Sequence, residues 1–166
     1  MSDPLGGDAD ADGTNGVTES VALRFRWRHI GDVHLDATGK LAFPQVAVEP
    51  AVYRFEVDGS DASVYFGEAS DLRKRFGNYR RADPTMGTNY RLRGDLTESL
   101  AGGGRCRVSV AEVMSFDARS RAAELDPRLK AARVLIESSA IVMARNDGVR
   151  TVLNLDRAYD RLLGGD

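Results

Sequence analysis

A chain of 166 residues with 42% hydrophobic side chains can bury one ordinary core and is too short for two large domains. Its formal charge of −2 is unevenly placed: Asp3, Asp8, Asp10, Asp12 and Glu19 crowd the first 19 residues, and without them 23 basic residues face 20 acidic ones. The longest apolar run, residues 140–144, is far short of a membrane span, the start lacks the basic region of a secretory signal, and Cys106 stands alone, so a soluble cytoplasmic protein without disulfide or membrane contact is expected.

Residues 1–19 have almost no apolar side chains to offset the entropy of ordering, and a disordered acidic tail is expected there. From Val21, Leu23, Phe25 and Trp27 alternate with Arg24, Arg26 and Arg28, the period of a half-buried strand. The turn residues 36–39 separate two short apolar runs at 33–35 and 41–43, which predicts a hairpin, so residues 20–49 read as an N-terminal β extension. Pro44 and Pro50 bracket the link into a main domain over residues 50–155.

That domain opens with a strand through Val52, Phe55 and Val57, a break at 58–61, and a second strand at 62–66. Ser70 is the expected N-cap of a helix anchored by Leu72 and Phe76 at i,i+4, with Gly77 shortening or fraying it. A second helix is expected from Thr88 and Asn89, with Tyr90, Leu92, Leu96 and Leu100 at apolar positions and Gly102 to Gly104 closing it. Cys106, Val108, Val110 and Val113 predict a strand, residues 118–145 a helical region interrupted near Pro127, and residues 156–166 a short polar tail. This order predicts an α+β fold: a small, mainly antiparallel three-stranded sheet flanked by helices, with the N-terminal hairpin as an addition.

With only His29 and His34, and no glycine-rich phosphate loop, histidine-driven catalysis and nucleotide binding have little support. Between Asp71 and Arg93 seven bases meet two acids, a cluster able to hold a phosphate backbone through Arg73, Lys74, Arg80, Arg81, Arg91 and Arg93. Twenty of the 23 bases are arginine, which suits phosphate oxygens, although a composition bias explains the same count. Within the cluster Arg75 and Tyr79 share a helical face, and Tyr65 ends the preceding strand across the Gly67 turn. Their structural alternative is ordinary: tyrosines line sheets and arginines cover surfaces. Glu137 interrupts an otherwise apolar helix and needs a partner or a metal, the plain alternative being an ion pair with Arg133 or a tertiary arginine.

These residues resemble the GIY-YIG nuclease family over about residues 50 to 155. Ala51-Val52-Tyr53 is similar to its first motif and Tyr65-Phe66-Gly67 to its second. Arg75 matches its helical arginine, Tyr79 its following His/Tyr position, Glu137 its metal-binding glutamate and Asn154 its terminal asparagine, with Asn146 as the alternative. Ala51 stands for the usual glycine, Phe66 for an aliphatic residue, and Glu68 where lysine or glutamine is common.

The resemblance implies an endonuclease that hydrolyses DNA phosphodiesters, with Glu137 as protein ligand of Mg²⁺ or Mn²⁺. Tyr53, Tyr65, Arg75, Tyr79, Glu137 and Asn154 are then the catalytic set, in a homodimer or larger assembly if both strands are cut. Two other classes compete with it: a catalytically dormant nucleic-acid-binding or accessory subunit of the same fold, and a protein-interaction domain using Phe25 and Trp27 as a partner face.

Overall fold

The computed structural model describes residues 19–118 and 121–154. The expected acidic tail, apart from Glu19, and the expected C-terminal tail lie outside the described residues. In chain order come β1 (Val21–Leu35), β2 (Leu41–Ala42), β3 (Ala51–Asp58), β4 (Ser63–Ala69), α1 (Leu72–Arg81), a 3-10 turn (Pro84–Met86) and α2 (Thr88–Ala101). β5 (Arg105–Ala118), β6 (Arg121–Glu124), α3 (Lys130–Asp147) and β7 (Thr151–Val152) complete the chain. No helix among the described residues is long and apolar enough to cross a membrane.

The small three-stranded sheet expected from the sequence is overturned: the strands form one seven-stranded sheet in the order β2, β1, β5, β3, β4, β7, with β6 beside β5. It is mixed, because β7 runs parallel to β4 while the other pairs are antiparallel. The difference begins at β1. The expected hairpin forms, His34 pairing with Ala42 and Leu35 with Leu41, but it does not stand apart: the 15-residue β1 also runs along β5 from the Val21–Ala118 pair to the Val33–Cys106 pair. The N-terminal segment thereby continues the central sheet. A bulge between His29 and Gly31 bends the strand. Gly31 has φ +142°, and a Cβ there would stand 2.7 Å from Cβ of Pro44, so only glycine fits.

Residues 118–124 also depart from expectation. Their alanines favour a helix, yet residues 121–124 pair antiparallel with β5 as β6. β3 leaves that edge of β5 after Val110, so unpaired backbone groups there await a partner, and β6 satisfies four residues of it. The helix starts only at Lys130, past Pro127.

Alternation along β3 divides the core. Tyr53, Phe55 and Val57 pack with Leu72, Phe76 and Tyr79 of α1 and with Leu92 and Leu96 of α2. On the opposite face Val52 meets Ile136 of α3, and Val64 and Phe66 of β4 meet its Ala140. Phe25 and Trp27 pack into this second layer, Trp27 against Phe66 at 5.9 Å between ring centroids. Burial of Leu72 and Phe76, worth roughly 1.5–3 kcal/mol each, holds α1 to the sheet across Gly77. The cap of α1 is Asp71 rather than Ser70, its carboxylate accepting from the Lys74 backbone N–H at 2.9 Å.

Candidate active site

β3 and β4 place Tyr53 opposite Gly67 and Phe55 opposite Tyr65. A Cβ on Gly67 would lie 2.3 Å from Oη of Tyr53, so the phenol crosses the sheet through space that only glycine leaves open. α1 brings Tyr79 down onto the same spot. Tyr53 and Tyr79 Oη atoms are 2.5 Å apart, and Tyr79 donates onward to Tyr65 Oη at 3.3 Å. Because Tyr79 has one proton to give, Tyr53 donates to Tyr79, and the proton of Tyr65 is left for a group outside the chain of hydroxyls.

Tyr53 and Tyr79 are sealed at 0% and 1% exposure, whereas Tyr65 keeps 8%. Tyr65 is therefore the phenol nearest solvent. Burial raises the pKa of all three, and for Tyr65 the bond from Tyr79 and the charges of Arg75 and Arg91 act against the rise. All three are neutral phenols near pH 7.

β7 and the residue after it define the place where this chain of hydroxyls reaches the outside. Thr151 and Leu153 donate backbone bonds to Ala62 and Val64, and the Asn154 side chain extends the ladder, accepting from Phe66 N–H and donating to Phe66 C=O, both at 2.8 Å. Past Phe66 that edge of β4 is taken by Arg75, whose Nη2 donates to the Glu68 carbonyl at 3.2 Å. The half-buried Arg75 guanidinium has no ion-pair partner among the described residues.

Glu137 reaches this edge from α3. Among the described residues its half-buried carboxylate has no hydrogen bond and no ion pair. Burial, then the neighbouring Glu68 carboxylate, push its pKa up to about 7, against the pull of Arg75. The ion pair with Arg133 that the helical spacing allowed is not formed. Arg133, buried, turns instead to Glu68, with Nε donating at 2.7 Å, and its Nη1 donates to the carbonyls of Pro127 and Arg128 at 2.7 and 3.1 Å. Sequence reasoning missed this pair. Its signal was an arginine on the buried face of an apolar helix, four residues before a glutamate.

Tyr53, Tyr65, Tyr79, Arg75 and Glu137 thus belong to one neighbourhood. Asn154 touches it through the backbone of Phe66, its amide fully committed, while Asn146 is exposed near the end of α3. The expected phosphate-gripping cluster is divided. At 100° per residue Arg73 and Arg80 fall on the flank of α1 away from Arg75, lining a cavity of about 450 Å³ with Phe43 and Phe76. Arg73 donates to the Val46 carbonyl at 3.0 Å and Arg80 pairs with Asp36 at 3.0 Å. Arg91 bonds the Leu153 carbonyl at 2.7 Å and Asp95 at 3.2 Å, and Arg93 bonds the Ala82 carbonyl. Lys74 and Arg81 are exposed and have no side-chain partner among the described residues.

No cluster of three or more His, Cys, Asp or Glu able to hold a metal occurs among the described residues. The donor set offers one unpartnered carboxylate, with a second carboxylate beside it already tied to Arg133. That fits a hard cation that keeps most of its water, and does not fit zinc.

No family model matches the chain, and no curated protein matches it in sequence. Among solved structures the fold is similar to that of a mutant of bacteriophage T4 EndoII. The TM-score is 0.47 and the identity 16%, over 70% of this chain and 86% of that one. So distant a likeness assigns neither a family nor an activity.

Proposed function

We propose that the protein is a metal-dependent endonuclease that hydrolyses DNA phosphodiester bonds at a GIY-YIG-type site. The observation that carries this reading is the meeting, at the open edge of β4, of a hydroxyl chain ending in Tyr65, an unpaired guanidinium and an unpaired carboxylate. Structural ion-pair networks close on themselves, and this group does not.

Glu137 would hold a Mg²⁺ or Mn²⁺ ion, with waters and substrate oxygens filling the remaining positions. Such an ion, when bound, lowers the pKa of its water and neutralises charge on the phosphoryl group. Arg75 keeps donors free beyond its single bond to Glu68 and stabilises the negative charge that builds on a phosphoryl oxygen. Tyr65, a neutral phenol near pH 7, orients the attacking water through its hydroxyl. Tyr79 and Tyr53 are positioning residues that fix that hydroxyl. Asn154 positions β4 through Phe66, and Arg133 screens the negative charge of Glu68. Lys74 and Arg81 are the outer-face candidates for backbone contact on α1, with Arg91 and Arg93 on α2.

The test is a panel of duplex, branched and single-stranded DNA incubated with Mg²⁺, Mn²⁺ or chelator. Divalent-dependent shortening is expected, lost in Glu137→Ala and Arg75→Ala at unchanged far-UV circular dichroism. Wild-type cleavage by both variants would remove the site from consideration. The dormant-module reading, favoured by the negative charge of Glu68, expects instead a gel shift without shortening.

A further inference from the structure

The flank of α1 turned away from Arg75 is basic and borders a cavity. At 100° per residue Arg73, Gly77, Arg80 and Arg81 fall within one arc of about 100°, and the missing side chain of Gly77 leaves a notch among them. The cavity of about 450 Å³ has the size of a small-ligand site, and Phe43 and Gln45 of the link into β3 line it together with α1. No acidic side chain lines it. Rings and charges share the space. Phe43, half-buried, stacks on Phe76 with 5.0 Å between centroids and 24° between planes. Among the described residues Arg73 spends only Nε, on the Val46 carbonyl, and Arg80 only Nη2, on Asp36. That aspartate already accepts from the backbone N–H groups of Thr38 and Lys40 and from the Thr38 hydroxyl. Arg81 folds back over Gly77, its Nη2 3.1 Å from where a Cβ would stand, and neither it nor the Gln45 amide has a side-chain partner among the described residues.

A ligand that matches this cavity carries a flat ring and, close to it, negative charge. A nucleotide is such a unit. Its base, laid on Phe43, extends the stack with Phe76, the Gln45 amide meets the base edge, and the open guanidinium donors take the phosphate. A base paired inside a duplex is stacked on both faces and cannot enter until it is extruded. The route from the candidate active site is short, because α1 is about 10–12 Å across and the exposed Lys74 stands on the arc between Arg75 and Arg81. We propose that this cavity receives one unpaired nucleotide of the DNA strand, its base on Phe43 and its phosphate on Arg73, Arg80 and Arg81, so that the preferred substrate carries an extrahelical or single-stranded base. The proposal rests on DNA being the substrate and names the kind of DNA.

Fluorescence anisotropy of labelled DNA in the presence of chelator tests this without reference to cleavage. The full chain is titrated onto a short duplex, the same duplex with one unpaired adenine, and that duplex with an abasic residue in place of the adenine. The unpaired adenine should tighten binding by about five-fold or more over both others, the contribution of one base stacked on an aromatic ring. Gly77→Leu extends a side chain back over Arg73, into the cavity, and should bring the three affinities within about two-fold. Because leucine is a better helix former than glycine, the melting temperature should not fall. Arg73→Gln, which leaves the cavity open, should weaken binding to the unpaired adenine and lower the salt slope by about one. Free deoxyadenosine monophosphate should compete only at far higher concentration than the bulged duplex. Equal affinity for the adenine and abasic duplexes overturns the proposal, as does a preference that survives Gly77→Leu or a salt slope unchanged in Arg73→Gln. Competition by the free nucleotide at the concentration of the bulged duplex would make the ligand a small molecule and also overturns it. A base preference that persists in a protein unable to cleave DNA would remove the nuclease reading and leave this one standing.

Discussion

The two halves of the candidate site are built on opposite terms. The hydroxyl frame is spent internally: Tyr53 and Tyr79 are sealed, share a 2.5 Å hydrogen bond and carry no charge. At the opening, the half-buried Glu137 carboxyl and the Arg75 guanidinium have no ion-pair partner among the described residues, and burial pushes the Glu137 pKa up to about 7, while the neighbouring Glu68 is neutralised by Arg133. The first half is a rigid frame and the second a reactive opening. A fold tolerates an unpaired carboxylate beside a core only at a cost in stability, and that cost is what an arriving cation would relieve.

Changes on the reactive side should show the largest effects on cleavage. Glu137→Ala is expected to reduce it to background, and Arg75→Ala to slow it by about 10²- to 10³-fold, read as single-turnover rates at saturating Mg²⁺. Arg133→Met strands the Glu68 carboxylate and should destabilise the protein by about 3–5 kcal/mol in urea unfolding, with most of the loss recovered when Glu68→Gln is added. On the frame side Gly67→Ala forces a methyl into the Tyr53 ring and should cost about 1–3 kcal/mol. Tyr79→Phe leaves the buried Tyr53 hydroxyl unpaired, at about 1–3 kcal/mol, and should lower the cleavage rate in proportion to how far Tyr65 loses its orientation.

The smallest effect expected is a pH dependence confined to the reactive side. Folded Glu137 keeps its proton up to about 7, whereas the unfolded chain releases it in the ordinary carboxylate range. Between those values the native state binds more protons, so this group makes stability fall as pH rises through the window. Glu137→Gln should therefore be more stable than wild type at pH 8 and nearly equal to it at pH 4, measured by urea midpoints. Without divalent ions, an equal difference at both pH values would mean that the carboxylate is not held in an unfavourable setting.

The frame was more legible in the sequence than the sheet around it. The two-residue period of β3 and the four-residue spacing of Arg75 and Tyr79 are local rules, and Gly67 marked the place where two elements close on each other. The extent of β1 was hidden because alternation in residues 21–28 says that a strand exists, not that its partner lies some 80 residues away in β5. β6 was hidden because alanine-rich residues 118–124 favour a helix until an open strand edge competes for them. For Arg133 the sequence offered only the alternative of a pair with Glu137, since spacing shows neighbours four residues apart and cannot show Glu68, which is 65 residues away.

Titration of Mn²⁺, followed by electron paramagnetic resonance of the free ion, tests the open carboxylate most directly. The account predicts one bound ion per wild-type chain and none, in the same concentration range, for Glu137→Gln. Equal binding by the two proteins, or no binding by wild type in the presence of uncleavable DNA, would contradict it.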